Sequence, residues 1–241
     1  ISNDLLNRFT HLLNIKKIRE LISKLENNNL SREEKYNIYI EIAGIYYKLK
    51  LHDKAIEYYT YAININSLYG YIYYIRGSIY FLLEDDKNCI NDYIRYLNLI
   101  TRISYDELML LAKIFATIKK YKYAISCYIR AISMNNNSKE IYKELADLYI
   151  ELGDFTNAYK YYECSLKLDN NYYNAYTGRL ALFIKKYFNV SDRKDILKIY
   201  NNIVFANNLV NNLKDNSIEL NIAISDIDNI LSIKYDYNLL E

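Results

Sequence analysis

The chain repeats itself at a fixed interval. Small residues Ala55, Cys89, Ala124 and Ala158 stand 34, 35 and 34 positions apart. Each is followed four residues later by a ring (Tyr59, Tyr93, Tyr128, Tyr162) and three further on by Ala62, Tyr96, Ala131 or Ser165. Twelve positions before each stands another small residue (Ala43, Gly77, Ala112, Ala146), with a ring three after it (Tyr46, Tyr80, Phe115, Tyr149). Offsets of three and four place residues on one face of a helix. Two helices packed closely need small side chains where their backbones approach and large ones to fill the gaps beside them. A plain four-helix bundle does not predict a fixed period. A period in this range is the mark of stacked supersecondary units.

The residues that are absent agree with this. There is no Pro in 241 residues, as expected of helix after helix. Five Gly are too few for a sandwich or barrel of many tight turns. The 30 Tyr go with an excess of Asn, Ile and Lys, a bias of AT-rich coding that gives the rings no functional meaning by number.

The period and pattern resemble the tetratricopeptide repeat (TPR): small at positions 8, 20 and 27, aromatic at 11 and 24. The stretch YIELGDFTNAYKYYECSLKLDNN (149–171) matches that pattern almost throughout. There are departures. The family's Pro near position 32 is replaced by Ser67, Thr101, Asn136 and Asn170. Position 4 carries Tyr39, Tyr73, Leu108 and Tyr142 instead of Trp. Tyr96 at position 27 should open the second helix pair slightly. The resemblance implies an all-α fold, a right-handed α-solenoid of antiparallel helix pairs, with four clear repeats and degenerate ends.

Repeats at 36–69, 70–104, 105–138 and 139–172 place their first (A) helices at about 36–49, 70–83, 105–118 and 139–152. The second (B) helices fall at about 53–66, 87–100, 122–135 and 156–169. Ser31 with Glu34, and Ser104 with Glu107, read as capping boxes. Asp53, Asp86 and Asp154 are expected to cap B helices, and Gly153 to end an A helix. Residues 1–30 read as a degenerate helical hairpin (2–13 and 16–28). Residues 173–210 read as a degenerate repeat with helices at 173–186 and 193–210, and 216–236 as a capping helix. The expectation is one continuous solenoid over 1–241, whose end repeats are atypical because one face meets water.

Chemistry finds little purchase. His11 and His52, the two histidines, have no visible partners for a metal site or a triad. Cys89, Cys127 and Cys164 are odd in number and fall near the core seam, which suits buried inert thiols. No phosphate-binding glycine loop or His-Glu-x-x-His occurs. The expectation is no enzyme, no cofactor and no metal. A net charge of +2 is too small for a nucleic-acid footprint, and no run of 18 apolar residues suggests a membrane span. The expected compartment is cytoplasmic. A start at Ile instead of Met reads as that of a fragment, which could lack a targeting signal.

The resemblance implies that the concave face, built mostly from A helices, holds a peptide or a partner's helix. The family's carboxylate clamp of Lys, Asn and Arg would fall on Ile40 and Gly44, on Ile75 or Ser78, and on Asp106 and Leu110, and none matches. In its place stand Ile40, Tyr47, Tyr71, Tyr74, Ser78 and Phe81, an aromatic wall. Lys143, Glu144 and Asp147 stand with Glu140 and Glu151 as an acidic end. Such a face suits an amphipathic segment with a basic flank. The expected role is a protein-binding scaffold or adaptor. The alternatives are a structural solenoid that self-associates as a homo-oligomer, or the regulatory portion of a larger enzyme.

Overall fold

The computed structural model describes residues 3–27 and 29–188, together with Ile222, Ser225, Asp226 and Asn229. The described residues form helices and turns with no strand. They fall into two compact units, 1–103 and 104–241.

The first unit holds α1 (Asn3–Leu25), α2 (Arg32–Lys48), α3 (His52–Ile65), α4 (Gly70–Leu82) and α5 (Asp86–Leu99). Helix α2 pairs with α3 and α4 with α5, while α1 packs on α2 and α3 on α4. The second unit holds α6 (Tyr105–Thr117), α7 (Tyr121–Met134), α8 (Lys139–Glu151), α9 (Phe155–Leu168) and α10 (Tyr173–Phe188). Here α6 pairs with α7 and α8 with α9, and α10 packs on both α8 and α9.

The repeated small residues are where the pairs close. Ala43, Ala55, Cys89, Ala112, Ala124, Ala146 and Ala158 have no exposed surface, and the rings Tyr59, Tyr93, Tyr128 and Tyr162 are buried with them. At Gly77 a Cβ would lie 3.2 Å from Asp92 Cβ and 3.3 Å from the Tyr93 ring, so α4 and α5 approach so closely that a larger residue would have to displace its neighbours. Tyr96 is fully buried at the seam, and Gly70 faces it at the start of α4.

Caps fix the boundaries. Ser31 and Ser104 each accept the N–H of the glutamate three residues on, and Glu34 and Glu107 accept the serine N–H in return. Asp154 caps α9 by accepting the Asn157 N–H at 3.1 Å. Asp85, not the expected Asp86, caps α5, through the Asn88 N–H at 3.2 Å. Asp86 and Asp53 sit in the first turns of their helices, and α3 has no side-chain cap. Each A helix ends in one left-handed residue: Lys50, Glu84, Lys119 and Gly153.

The N-terminal hairpin expected over 1–30 is instead one 23-residue helix. The expected break between residues 13 and 16 holds no Gly or Pro, and nothing local interrupts the ladder. Ile18 and Leu21 of α1 pack on Ile42 and Ile45 of α2. The expected helix at 193–210 lies outside the described residues. Of the expected helix at 216–236, the described Ile222, Ser225, Asp226 and Asn229 are helical, and Ile222 packs against the core of α8, α9 and α10.

Candidate partner-binding surface

In the first unit, the residues expected to bind divide by depth. Tyr71 is 54% exposed and its ring lies 5.5 Å from that of Tyr74. Tyr74 is half-buried and packs on two rings of α5, Tyr96 at 5.1 Å and Tyr93 at 5.8 Å. Tyr71 also meets Tyr96 edge-on at 6.2 Å. Ser78 donates its hydroxyl to the Tyr74 carbonyl at 2.9 Å, and its oxygen lies 2.9 Å from the Tyr93 hydroxyl. Burial pushes the Tyr93 phenol well above the ordinary tyrosine range. Tyr71, Tyr74 and Ser78 thus form one cluster, resting on the buried Tyr93 and Tyr96. Its base is internal packing and its top, the Tyr71 ring, faces water.

Tyr47 is 40% exposed at the end of α2, with the His52 ring 5.9 Å away. Ile40 on α2 and Phe81 on α4 are half-buried. In the second unit, Lys143 lies 2.7 Å from Asp147 and 3.5 Å from Glu144. Asp147 also accepts the Tyr162 hydroxyl at 2.5 Å. Lys185 lies 3.7 Å from Glu151. The acidic face of α8 is therefore partly neutralised from within the unit.

Two arginine sites, one part-buried at Arg76 and one buried at Arg179, are not among the residues expected from the sequence. Arg76 of α4 donates to both carboxylate oxygens of Asp92 at 2.8 Å and to Thr60 Oγ1 at 2.8 Å. Arg179 of α10 bonds Asp226 through two nitrogens and also reaches Glu163. Both arginines follow a position-4 tyrosine by three residues, and both of those tyrosines, Tyr73 and Tyr176, donate to a backbone carbonyl six residues back. That shared Tyr-x-x-Arg was the available signal. A cleft of about 460 Å³ is lined by Arg32, Glu33, Tyr36, Asn37, Ile65, Asn66 and Tyr69. Tyr36 stacks toward Tyr69 at 5.1 Å, and burial pushes its phenol up to about 12.

Among the described residues no three His, Cys, Asp or Glu side chains are grouped to hold a metal. No described helix is long and apolar enough to cross a membrane. Burial pushes the Cys89 thiol up to about 12 and Cys127 up to about 11, so both stay protonated and unreactive near neutral pH.

Antiparallel helix pairs of near-constant length, recurring about every 34 residues, define an α-helical repeat protein. The tetratricopeptide repeat model matches residues 36–67 and 140–172, and the fold is that of TPR proteins. The chain is similar to the crystal structure of MamA, at 19% identity over 76% of this chain and 93% of that one, with a TM-score of 0.51. It is similar to YrrB, described as a TPR protein with an unusual peptide-binding site, at 16% identity over 83% and 96%, with a TM-score of 0.51. It is also similar to the C-terminal part of a TPR repeat-containing protein from Cytophaga hutchinsonii, at 16% identity over 96% and 93%, with a TM-score of 0.50. At these identities the likeness is one of fold alone. No curated protein matches the chain in sequence.

Proposed function

We propose that the chain is a protein-interaction module, a scaffold or adaptor that grips a peptide or partner helix on its A-helix face. TPR folds serve in general as protein-interaction scaffolds, and YrrB is described as having a peptide-binding site. The observation that carries the reading here is the Tyr71 ring. It is more than half exposed, yet seated on Tyr74 and Tyr96. An aromatic held at a fixed angle by neighbours loses little freedom on binding, and tyrosine is favoured at interface hot spots. Ile40, Tyr47, Ser78 and Phe81 add to the first unit's surface. Lys143, Glu144 and Asp147 form a separate polar surface on the second, suited to a basic flank. Three free thiols suit a reducing, cytoplasmic setting.

Peptides selected from a display library on the wild-type chain test this. Tyr71→Ala should weaken the selected peptides about fivefold or more, as loss of a hot spot does, with the thermal midpoint unchanged. Tyr74 is unsuitable as the probe, since its ring is packing for α5. Selected peptides that bind equally well to Tyr71→Ala and to Tyr47→Ala would overturn the assignment of the site.

A further inference from the structure

Helix α1 carries two apolar stripes on opposite faces. Ile18 and Leu21, with Ile22 and Leu25 beside them, face α2. Leu5, Leu6, Phe9, Leu12 and Leu13 form the other stripe and are 50–64% exposed. At about 100° per residue the two stripes point nearly half a turn apart. While α1 runs unbroken from Asn3 to Leu25, the second stripe therefore faces away from the helix that holds the first. Every α1 residue in the core cluster lies at position 18 or beyond. A run of five large apolar side chains on one exposed face marks a contact surface.

The order of the stripe indicates what covers it. It reads Leu5-Leu6, Phe9, Leu12-Leu13, which is a palindrome about Phe9. A second α1 laid antiparallel would set Phe9 against Phe9, Leu5 against Leu13 and Leu6 against Leu12. A two-fold interface demands that self-complementarity, because the same patch serves both copies. Charge points the same way. Between positions 3 and 14 the only charged residues are Asp4 and Arg8, and they pair with each other at 3.3 Å. A helix built for a membrane surface carries a Lys- and Arg-rich polar face. Here that face is Asn3, Asn7, His11 and Asn14.

We infer that the exposed stripe of α1 is a self-association site, on which a second copy of this chain docks its own α1 antiparallel about Phe9. Five side chains per copy fall short of the roughly 20–30 residues a side of a standard stable interface, so the pair is weak and forms with rising concentration. The surface is separate from the Tyr71 cluster, so neither proposal depends on the other.

Sedimentation velocity over a concentration series tests it. The wild type should rise from 28.8 kDa toward twice that mass. Phe9→Glu, which sets two carboxylates on the axis, should stay monomeric with its helicity unchanged. In a Cys164→Ser background, Phe9→Cys should crosslink to itself under mild oxidation. Leu13→Cys should not, yet should crosslink when mixed with Leu5→Cys. A wild type that stays monomeric at every concentration overturns the proposal, as does a dimer that survives Phe9→Glu. Self-crosslinking of Leu13→Cys that matches Phe9→Cys overturns the antiparallel register. Unfolding of Phe9→Glu would overturn it too, by making Phe9 a core residue.

Discussion

Two glycines in equivalent-looking helical settings predict opposite responses to the same substitution. Gly44 lies in α2, and the nearest side-chain atom to a Cβ there would be the Tyr59 hydroxyl at 3.9 Å. Gly178 lies in α10, where a Cβ would stand 2.5 Å from Tyr162. Tyr162 cannot retreat, because it is fully buried and its hydroxyl is bonded to Asp147. Gly44→Ala should therefore stabilise the fold by about 0.5–1 kcal/mol, the ordinary gain of removing a helix glycine. Gly178→Ala should cost about 1–3 kcal/mol by overpacking. Urea denaturation of both variants checks the pair, and a neutral Gly178→Ala would mean that α9 and α10 are not held this tightly. The contrast was not legible in the sequence. Ala62, Tyr59 and the other seam residues declare themselves by recurrence, but Gly178 sits outside the recurring small positions. Its constraint comes from Tyr162, one helix away.

At the scale of the element, the turn from A helix to B helix is the least comfortable part of each repeat. Its left-handed residue is Gly153 in one repeat, but Lys50, Glu84 and Lys119, with φ between 57° and 60°, in the others. A side chain in that region costs roughly 1–2 kcal/mol relative to glycine, offset in part by the extra freedom glycine brings to the unfolded chain. Lys50→Gly, Glu84→Gly and Lys119→Gly should each raise stability by about 1 kcal/mol, read as a higher thermal midpoint; a fall in all three would place the strain elsewhere. Only Gly153 was legible as a stop, because the other three turns lack any residue that announces a left-handed position. The capping boxes were legible because Ser31 and Ser104 carry their partners three residues on. The boundary of α1 was not, because its apolar stripe changes face near Asn14 without a breaker, and a change of face reads like a change of helix. The partner of α10 was least legible of all. Arg179 meets Asp226, 47 residues away, as Arg76 meets Asp92, 16 residues away. Three residues before Asp92 stands Cys89, and three before Asp226 stands Ala223. Asp226 thus stands toward Arg179 as Asp92 stands toward Arg76, and nothing local in the sequence announces a partner that far along the chain.

For the whole molecule, tyrosine takes the place that leucine or tryptophan holds in other helical cores, which makes stability sensitive to alkali. Tyr59, Tyr93 and Tyr96 in the first unit, and Tyr128 and Tyr162 in the second, are buried. Burial drives the Tyr59, Tyr93 and Tyr128 phenols upward, and the Cys89 and Cys127 thiols to about 12 and about 11. A group whose folded pKa exceeds its unfolded one favours the folded state while protonated. Its contribution is complete below the unfolded value and is lost as pH rises through the folded one. For thiols that loss begins near pH 9 and for phenols near pH 10, so both units should weaken across the same alkaline range. Rings whose hydroxyls reach water should ionise with the fold intact. Phenolate absorbance and far-ultraviolet circular dichroism, followed together on raising the pH, separate the two sets. The expected record is a first rise in absorbance with helicity unchanged, then a second that coincides with loss of helix. A single rise near pH 10 with helicity retained would mean that the buried rings reach water freely, and that the repeat is held together by its small residues and not by its tyrosines.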